Sequence, residues 1–179
     1  DSVAREVVRE ILIEGRVGLY VDAPPDQENA TPYIALYYVE NVVNWRTKVI
    51  KGVEQLVMVV LRESVEQPDA EDEFESEMVC QYRVLRLIDT DTTPRFVVDI
   101  WTEDEDDNED VFYRYQSTFE PRAIGGKPFS YIPFCFATPI GVTNEIQKIP
   151  LIDLIEVNIS HYQNSADLEH GRHFTALPT

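Results

Sequence analysis

Apolar residues recur along this chain at two different spacings. In the first fifteen positions Val3, Val7, Val8, Ile11 and Leu12 fall three or four apart, the spacing of one helix face. Asp1 or Ser2 suits the cap of that helix and Gly15 its end. From Arg16 the pattern changes to alternation and short apolar runs. Arg16 to Ala23 predicts a strand stopped by Pro24-Pro25, and Tyr33 to Tyr38 predicts another. Val39 to Trp45 fits a short helix and a turn equally. Gln55–Glu63, Glu77–Ile88, Arg95–Thr102 and Val111–Phe119 then predict four strands. In the second of these Tyr82, Val84 and Ile88 alternate against Arg83, Leu85 and Leu87. Phe96, Val98 and Ile100 share a face of the third, and Tyr113, Tyr115 and Phe119 a face of the fourth. Strands in sequence with turn-rich links predict an antiparallel meander of about four to six strands. Ala123 to Lys127 is a glycine turn. Phe129 to Phe136 is apolar and aromatic, with Pro133 arguing for an edge strand or an extended segment.

Helical spacing returns at the end. Leu151, Ile152, Ile155, Ile159, Tyr162 and Ala166 define an apolar face that Leu154, Val157 and Leu168 widen. Pro150 suits the first turn and Gly171 a stop. The expected fold class is α+β: an N-terminal helix, a mainly antiparallel sheet and a closing C-terminal helix.

Charge sharpens this picture. The 179 residues carry a formal net charge of −18. Glu66 to Glu77 holds seven acids, Glu103 to Asp110 holds seven more, and neither stretch contains Lys or Arg. Take those fourteen from −18 and only −4 remains, so the acidity belongs to two loops and not to the fold. In a meander both loops lie at the same end of the sheet. Such a surface repels phosphates, which excludes tight static binding of nucleic acid. Cys80 and Cys135 sit in apolar runs and are expected as reduced core residues. No run of about 18 apolar residues exists, so no membrane span is expected. Asp1 opens a helix pattern at once and Leu177-Pro178-Thr179 follow a helix directly, so the chain is expected to be a piece of a longer protein.

The final helix also carries His161, Asn164, Asp167, Glu169, His170 and His173. Carboxylate and imidazole together can hold zinc or iron, and Asp167, His170 and His173 would be the core of a metal-dependent hydrolase or nuclease. The spacing is not HExxH, and His170 and His173 straddle the expected stop at Gly171. Asp104 to Asp110 (DEDDNED) matches a calcium loop in composition but lacks the glycine at its sixth position and the glutamate at its twelfth. Gly125-Gly126-Lys127 is not a phosphate loop, because the remaining glycine and the Ser/Thr of that motif are missing.

A longer string of residues bears a resemblance. It comprises Gly15-Arg16-Val17-Gly18, Val21-Asp22-Ala23-Pro24, Pro32-Tyr33, Glu40 to Trp45, Val59 to Glu63, Tyr82 to Leu87 and Ile132-Pro133-Phe134. Its most specific part is Pro150-Leu151-Ile152-Asp153-Leu154, through Asn158, His161-Tyr162-Gln163 and Ser165-Ala166-Asp167 to His170 and His173. With these the chain resembles portal-type structural proteins of tailed bacteriophages. More narrowly, it resembles an uncharacterised phage family often encoded near the packaging terminase. Portal proteins run from an apolar "IPF" strand into a "pLIDxxxxN" helix, the order found here from Ile132 to Asn158.

The resemblance implies a non-enzymatic subunit of a ring of about a dozen copies, serving as DNA-packaging conduit and head-to-tail connector. It implies no cofactor, metal or catalytic residue. The implied partners are copies of the chain, terminase, capsid and head-to-tail adaptor proteins, and DNA passing through without sequence-specific binding. The implied location is the virion, and the host cytoplasm during assembly. Residues 1–149 would form a wing-like domain, and 150–179 a helix leading to a stem and clip not in this chain. Asn158, His161, Tyr162, Gln163, Asp167, His170, His173 and Trp45 are the candidates for subunit or domain contacts. Another phage head or tail adaptor is the remaining alternative.

Overall fold

A computed structural model of the chain describes residues 2–22, 31–68, 76–105, 111–123 and 125–175. The first helix, α1, spans Ser2–Glu14. The Gly15 amide closes its last turn on the Ile11 carbonyl at 3.1 Å. Gly15 has φ +80°, the left-handed conformation that ends helices and that glycine adopts without strain.

Among the described residues nine strands follow: β1 (Val17–Asp22), β2 (Tyr33–Tyr37), β3 (Val42–Ile50), β4 (Val53–Pro68), β5 (Ser76–Ile88), β6 (Arg95–Glu105), β7 (Val111–Phe119), β8 (Phe134–Thr138) and β9 (Gly141–Val142). The stretch that fitted helix and turn equally is helical over one turn only, and most of it is strand, which neither expectation gave. Val39–Asn41 is a single 3-10 turn, and the chain is extended from Val42. The helix α2 (Ile152–Thr175) is the last described element.

The α+β class stands, but the strands form two antiparallel sheets. The larger has the order β3-β4-β5-β6-β7, a meander in strict sequence order. The smaller has the order β2-β1-β8-β9 and joins the start of the chain to a strand more than a hundred residues later. Here the expected edge strand is corrected. β8 lies between β1 and β9, and Pro133 precedes it instead of interrupting it. The Pro133 carbonyl still accepts the Val21 amide at 2.9 Å, so proline costs the ladder nothing there.

The two sheets face each other across one core. Tyr20, Tyr37, Phe134 and Phe136 of the smaller sheet meet Val59, Leu61, Leu85, Leu87, Phe96 and Val98 of the larger. The registers Val59↔Leu85↔Val98 and Leu61↔Arg83↔Ile100 put these positions on one face, as strand alternation requires. Gly18 permits the close approach: a Cβ there would lie 2.7 Å from the Phe134 ring. Core edge-to-face pairs join Trp45 to Phe136 (5.4 Å) and Phe134 to Phe136 (5.0 Å).

The smaller sheet covers only part of the long hairpins. Beyond Leu61 and Arg83, strands β4 and β5 run on through residues that are half-buried or exposed. The β4–β5 and β6–β7 connections leave the sheet at one end, as the meander expectation required. The middle of both acidic stretches, and with it most of the calcium-like run 104–110, lies outside the described residues.

Candidate interaction site

The helix α2 is 24 residues long, which at a rise of about 1.5 Å per residue gives about 36 Å. Its root is well defined. The Ile152 amide donates to the Ile149 carbonyl at 3.2 Å, and Lys148 Nζ lies 2.7 and 2.8 Å from the two oxygens of Asp153. An acid in the first turn and Arg172 and His173 in the last suit the helix dipole. From Asp153 to Thr175 every residue is exposed.

Gly171 does not end the helix. Arg172 pairs with Glu169 across it (3.1 Å), and Thr175 Oγ1 donates to the Gly171 carbonyl at 3.0 Å. These local contacts carry the helix past a residue whose interior penalty is only about 1 kcal/mol. His170 and His173 therefore both lie in the helix, each ring edge-on to Phe174, at 4.6 and 6.0 Å.

Laid out at about 100° per residue, the apolar positions divide into two stripes. Ile152, Ile155, Ile159, Tyr162 and Ala166 form the major one, with His170 and His173 continuing it. Leu154, Val157 and Leu168, with His161 among them, fall on the opposite side and form a minor one. They do not widen the first face, as the linear spacing suggested. Between the stripes lies a broad polar edge holding Asp153, Glu156, Gln163 and Asp167, and a narrow one holding Asn158, Ser165 and Glu169. Seven of the eight contact candidates are thus exposed on α2, distributed around it.

Asp167, His170 and His173 step around the helix axis by about 60° each and do not converge. Among the described residues no group of three His, Cys, Asp or Glu side chains could hold a metal ion.

The eighth candidate, Trp45, lies in β3 and is half-buried. The Arg16 guanidinium stacks on its ring at 4.3 Å and on Phe136 at 4.7 Å. Burial lowers the Arg16 pKa below its usual value. Arg16 follows Gly15, and a Cβ on Gly15 would lie 3.3 Å from the Gln147 carbonyl and 3.4 Å from the Ile149 side chain. The end of α1, Trp45 and the root of α2 therefore meet in one place.

Helix α1 is turned differently from its expected apolar face. Glu10 is buried, and Glu6 accepts a hydrogen bond from Tyr38 Oη at 3.2 Å. Val7 and Ile11 are half-buried, whereas Val8 is 57% and Leu12 39% exposed. Ala4, Val8 and Leu12 thus form a ridge of i, i+4, i+8 spacing facing outward, with Arg5 and Arg9 beside it.

A charged cluster that the sequence reading missed holds the two sheets together. Arg83 Nη1 donates to Asp22 Oδ2 at 2.8 Å. Its Nε lies 2.8 Å from Glu63 Oε1, an ion-pair distance without hydrogen-bond alignment. Glu63 also accepts from Tyr37 Oη (2.5 Å) and Gln81 Nε2 (2.8 Å). Burial would lower the Arg83 pKa, but Glu63, Tyr37 and Asp22 outweigh it and raise the value. The Tyr37 hydroxyl is pushed well up, by burial first and then by Glu63. The available signal was an arginine at an inward position of β5, beside Leu85 and Leu87. Beyond this cluster the same sheet face forms an open cavity of about 730 Å³ lined by Glu77, Gln81, Thr102, Asp104 and Gln116 among others.

The opposite face of the larger sheet carries aromatic pairs, Tyr82–Tyr113 at 5.2 Å and Trp101–Tyr115 at 5.4 Å. Cys80 and Cys135 are free and half-buried. Gly125 and Gly126 have φ of +85° and +74°, and the Ala123 amide bonds the Lys127 carbonyl at 2.8 Å, so this segment is a turn. Among the described residues no helix is long and apolar enough to cross a membrane.

The model of one family, a domain of unknown function (DUF4055), matches residues 150–179, the whole of α2 with its root. This family is phage-associated. No curated protein matches the chain.

Proposed function

We propose that this chain is part of a structural subunit of a phage portal ring, the DNA-packaging conduit and head-to-tail connector. The observation that carries this reading is α2: about 36 Å of helix, exposed from Asp153 onward, with apolar stripes on two opposite sides. An amphipathic helix of a globular domain needs one apolar stripe, because it covers one core. A helix with two has a use for both when it lies between neighbours, as each subunit of a ring does. The phage-associated family match falls on this helix, and the apolar strand β8 precedes it in the order typical of portals. The acidic end of the larger sheet supports the reading in a second way. A ring that passes DNA gains from surfaces that release phosphates.

On this reading the partners are other copies, terminase, capsid and adaptor proteins, and the place of action is the virion. The test is negative-stain imaging and native mass spectrometry of the full-length protein across salt and concentration. Closed rings of about a dozen copies are expected. Monomers under all conditions would overturn the proposal.

A further inference from the structure

The major stripe of α2 needs an occupant, and charge discriminates between the two helical surfaces this chain offers. Within α2 four carboxylates (Asp153, Glu156, Asp167, Glu169) stand against one arginine. Packing α2 on the α2 of another copy would bring like charge to like charge, which disfavours it.

Helix α1 holds three acids, Glu6, Glu10 and Glu14, against Arg5 and Arg9, but at about 100° per residue its acids fall away from the outward ridge and only its arginines border it. Its acids Glu6 and Glu10 are engaged with Arg9 and, for Glu6, Tyr38, and Glu10 is buried. Its outward side carries Ala4, Val8 and Leu12 as an apolar ridge with Arg5 and Arg9 alongside. The major stripe of α2 has Glu156 and Asp167 alongside it in the same way. Each surface is an apolar line bordered by charge, and the borders are opposite in sign. Among the described residues of one copy neither surface is covered: Val8, Leu12, Ile155, Ile159 and Tyr162 are all exposed.

From these observations, and resting on the proposal that the chain assembles with its own kind, we infer that α2 of one copy docks along the outward ridge of α1 of the next. Ile155, Ile159 and Tyr162 pack against Val8 and Leu12, and Glu156 and Asp167 face Arg5 and Arg9. Every copy then gives one surface and receives on another, a head-to-tail contact that is satisfied for all copies when the assembly closes. A Cβ added at Gly15 would meet Ile149, so the end of the receiving helix lies beside the root of the giving one.

The test uses full-length protein carrying a photo-crosslinking amino acid at Leu12, mixed from isotopically heavy and light copies. Mass spectrometry of the crosslinked peptides reads both the contact and whether it joins two copies. The expected product links residue 12 of one copy to a peptide within 152–175 of another. Capture by α1 or by a sheet strand of the neighbour, in an assembled protein, overturns the inference and leaves the ring reading standing. The expected capture in a protein that assembles only as dimers upholds the contact and overturns the ring. A protein that stays monomeric overturns both.

A charge exchange provides the second measurement. Arg5→Glu with Arg9→Glu is expected to weaken association by about tenfold or more, and adding Glu156→Arg with Asp167→Arg to restore it. Unaltered assembly in the first variant, or no recovery in the second with the fold intact by circular dichroism, counts against the inference.

Discussion

The two-sheet body and the helix α2 use the same kinds of residue to opposite ends. In the body Val59, Leu61, Leu85, Phe96 and Val98 are fully buried, and Arg83 at the seam between the sheets is paired with Asp22 and Glu63. In α2, Ile155, Ile159 and Tyr162 are 48%, 53% and 76% exposed. The body meets its burial requirement within one chain. The helix is not buried by the described residues, and on the proposed reading a neighbouring copy covers it. Stability and assembly should therefore respond to different mutations.

The largest effect expected is in the body. Phe96→Ala removes a fully buried ring at the centre of the core and should cost about 3–5 kcal/mol in denaturant unfolding. Next comes Arg83→Met, which leaves Asp22 and Glu63 facing each other at the seam between the sheets. A loss of about 3 kcal/mol is expected, because removing one partner of a largely buried ion pair strands the other. Tyr37→Phe should cost about 1–2 kcal/mol at neutral pH through its lost bond to Glu63.

That variant also tests the pH dependence. The folded protein holds the Tyr37 proton, which an unfolded chain releases above about pH 10. The tyrosine contribution is thus intact below pH 10 and falls as the pH rises further. Tyr37→Phe should flatten this alkaline decline. The smallest effect on stability, and the sharpest contrast, is Ile159→Asp in α2. Body unfolding should shift by no more than about 0.5 kcal/mol, while sedimentation of the full-length protein shows assembly lost. A body destabilised as much as by Tyr37→Phe would erase the distinction between the two regions.

What the sequence disclosed follows the same division. The meander β4 to β7 was legible because neighbours in sequence pair with each other, so alternation and turn residues suffice; its first strand β3 was not, because Val39 to Trp45 fits helix and turn equally. The smaller sheet was not, since the pairing of β1 with β8 joins segments whose local patterns contain nothing about each other. Helix α1 was legible as a helix, and Val7 and Ile11 of its expected face are half-buried, but the buried side is rotated from that face toward Glu6 and Glu10. Apolar spacing pointed Val8 and Leu12 inward, whereas Tyr38 and Arg9 draw Glu6 and Glu10 to that side. In α2 the residues proposed for contact are exposed, but Gly171 misled. A glycine is a stop only when the residues after it cannot continue the helix, and Arg172 and Thr175 can.

The packing at Gly15 has a mechanical consequence. A helix of this length is a lever, and beside its root lies Gly15, where an added Cβ would meet Gln147 and Ile149. A rotation of about 10° there moves the far end of α2 by about 6 Å, given about 1.5 Å of length per residue. A side chain at position 15 would have to displace the Gln147 carbonyl or Ile149, and would have to adopt φ +80° as well. This glycine therefore sets the angle at which α2 leaves the body, and with it the curvature of anything the helix builds.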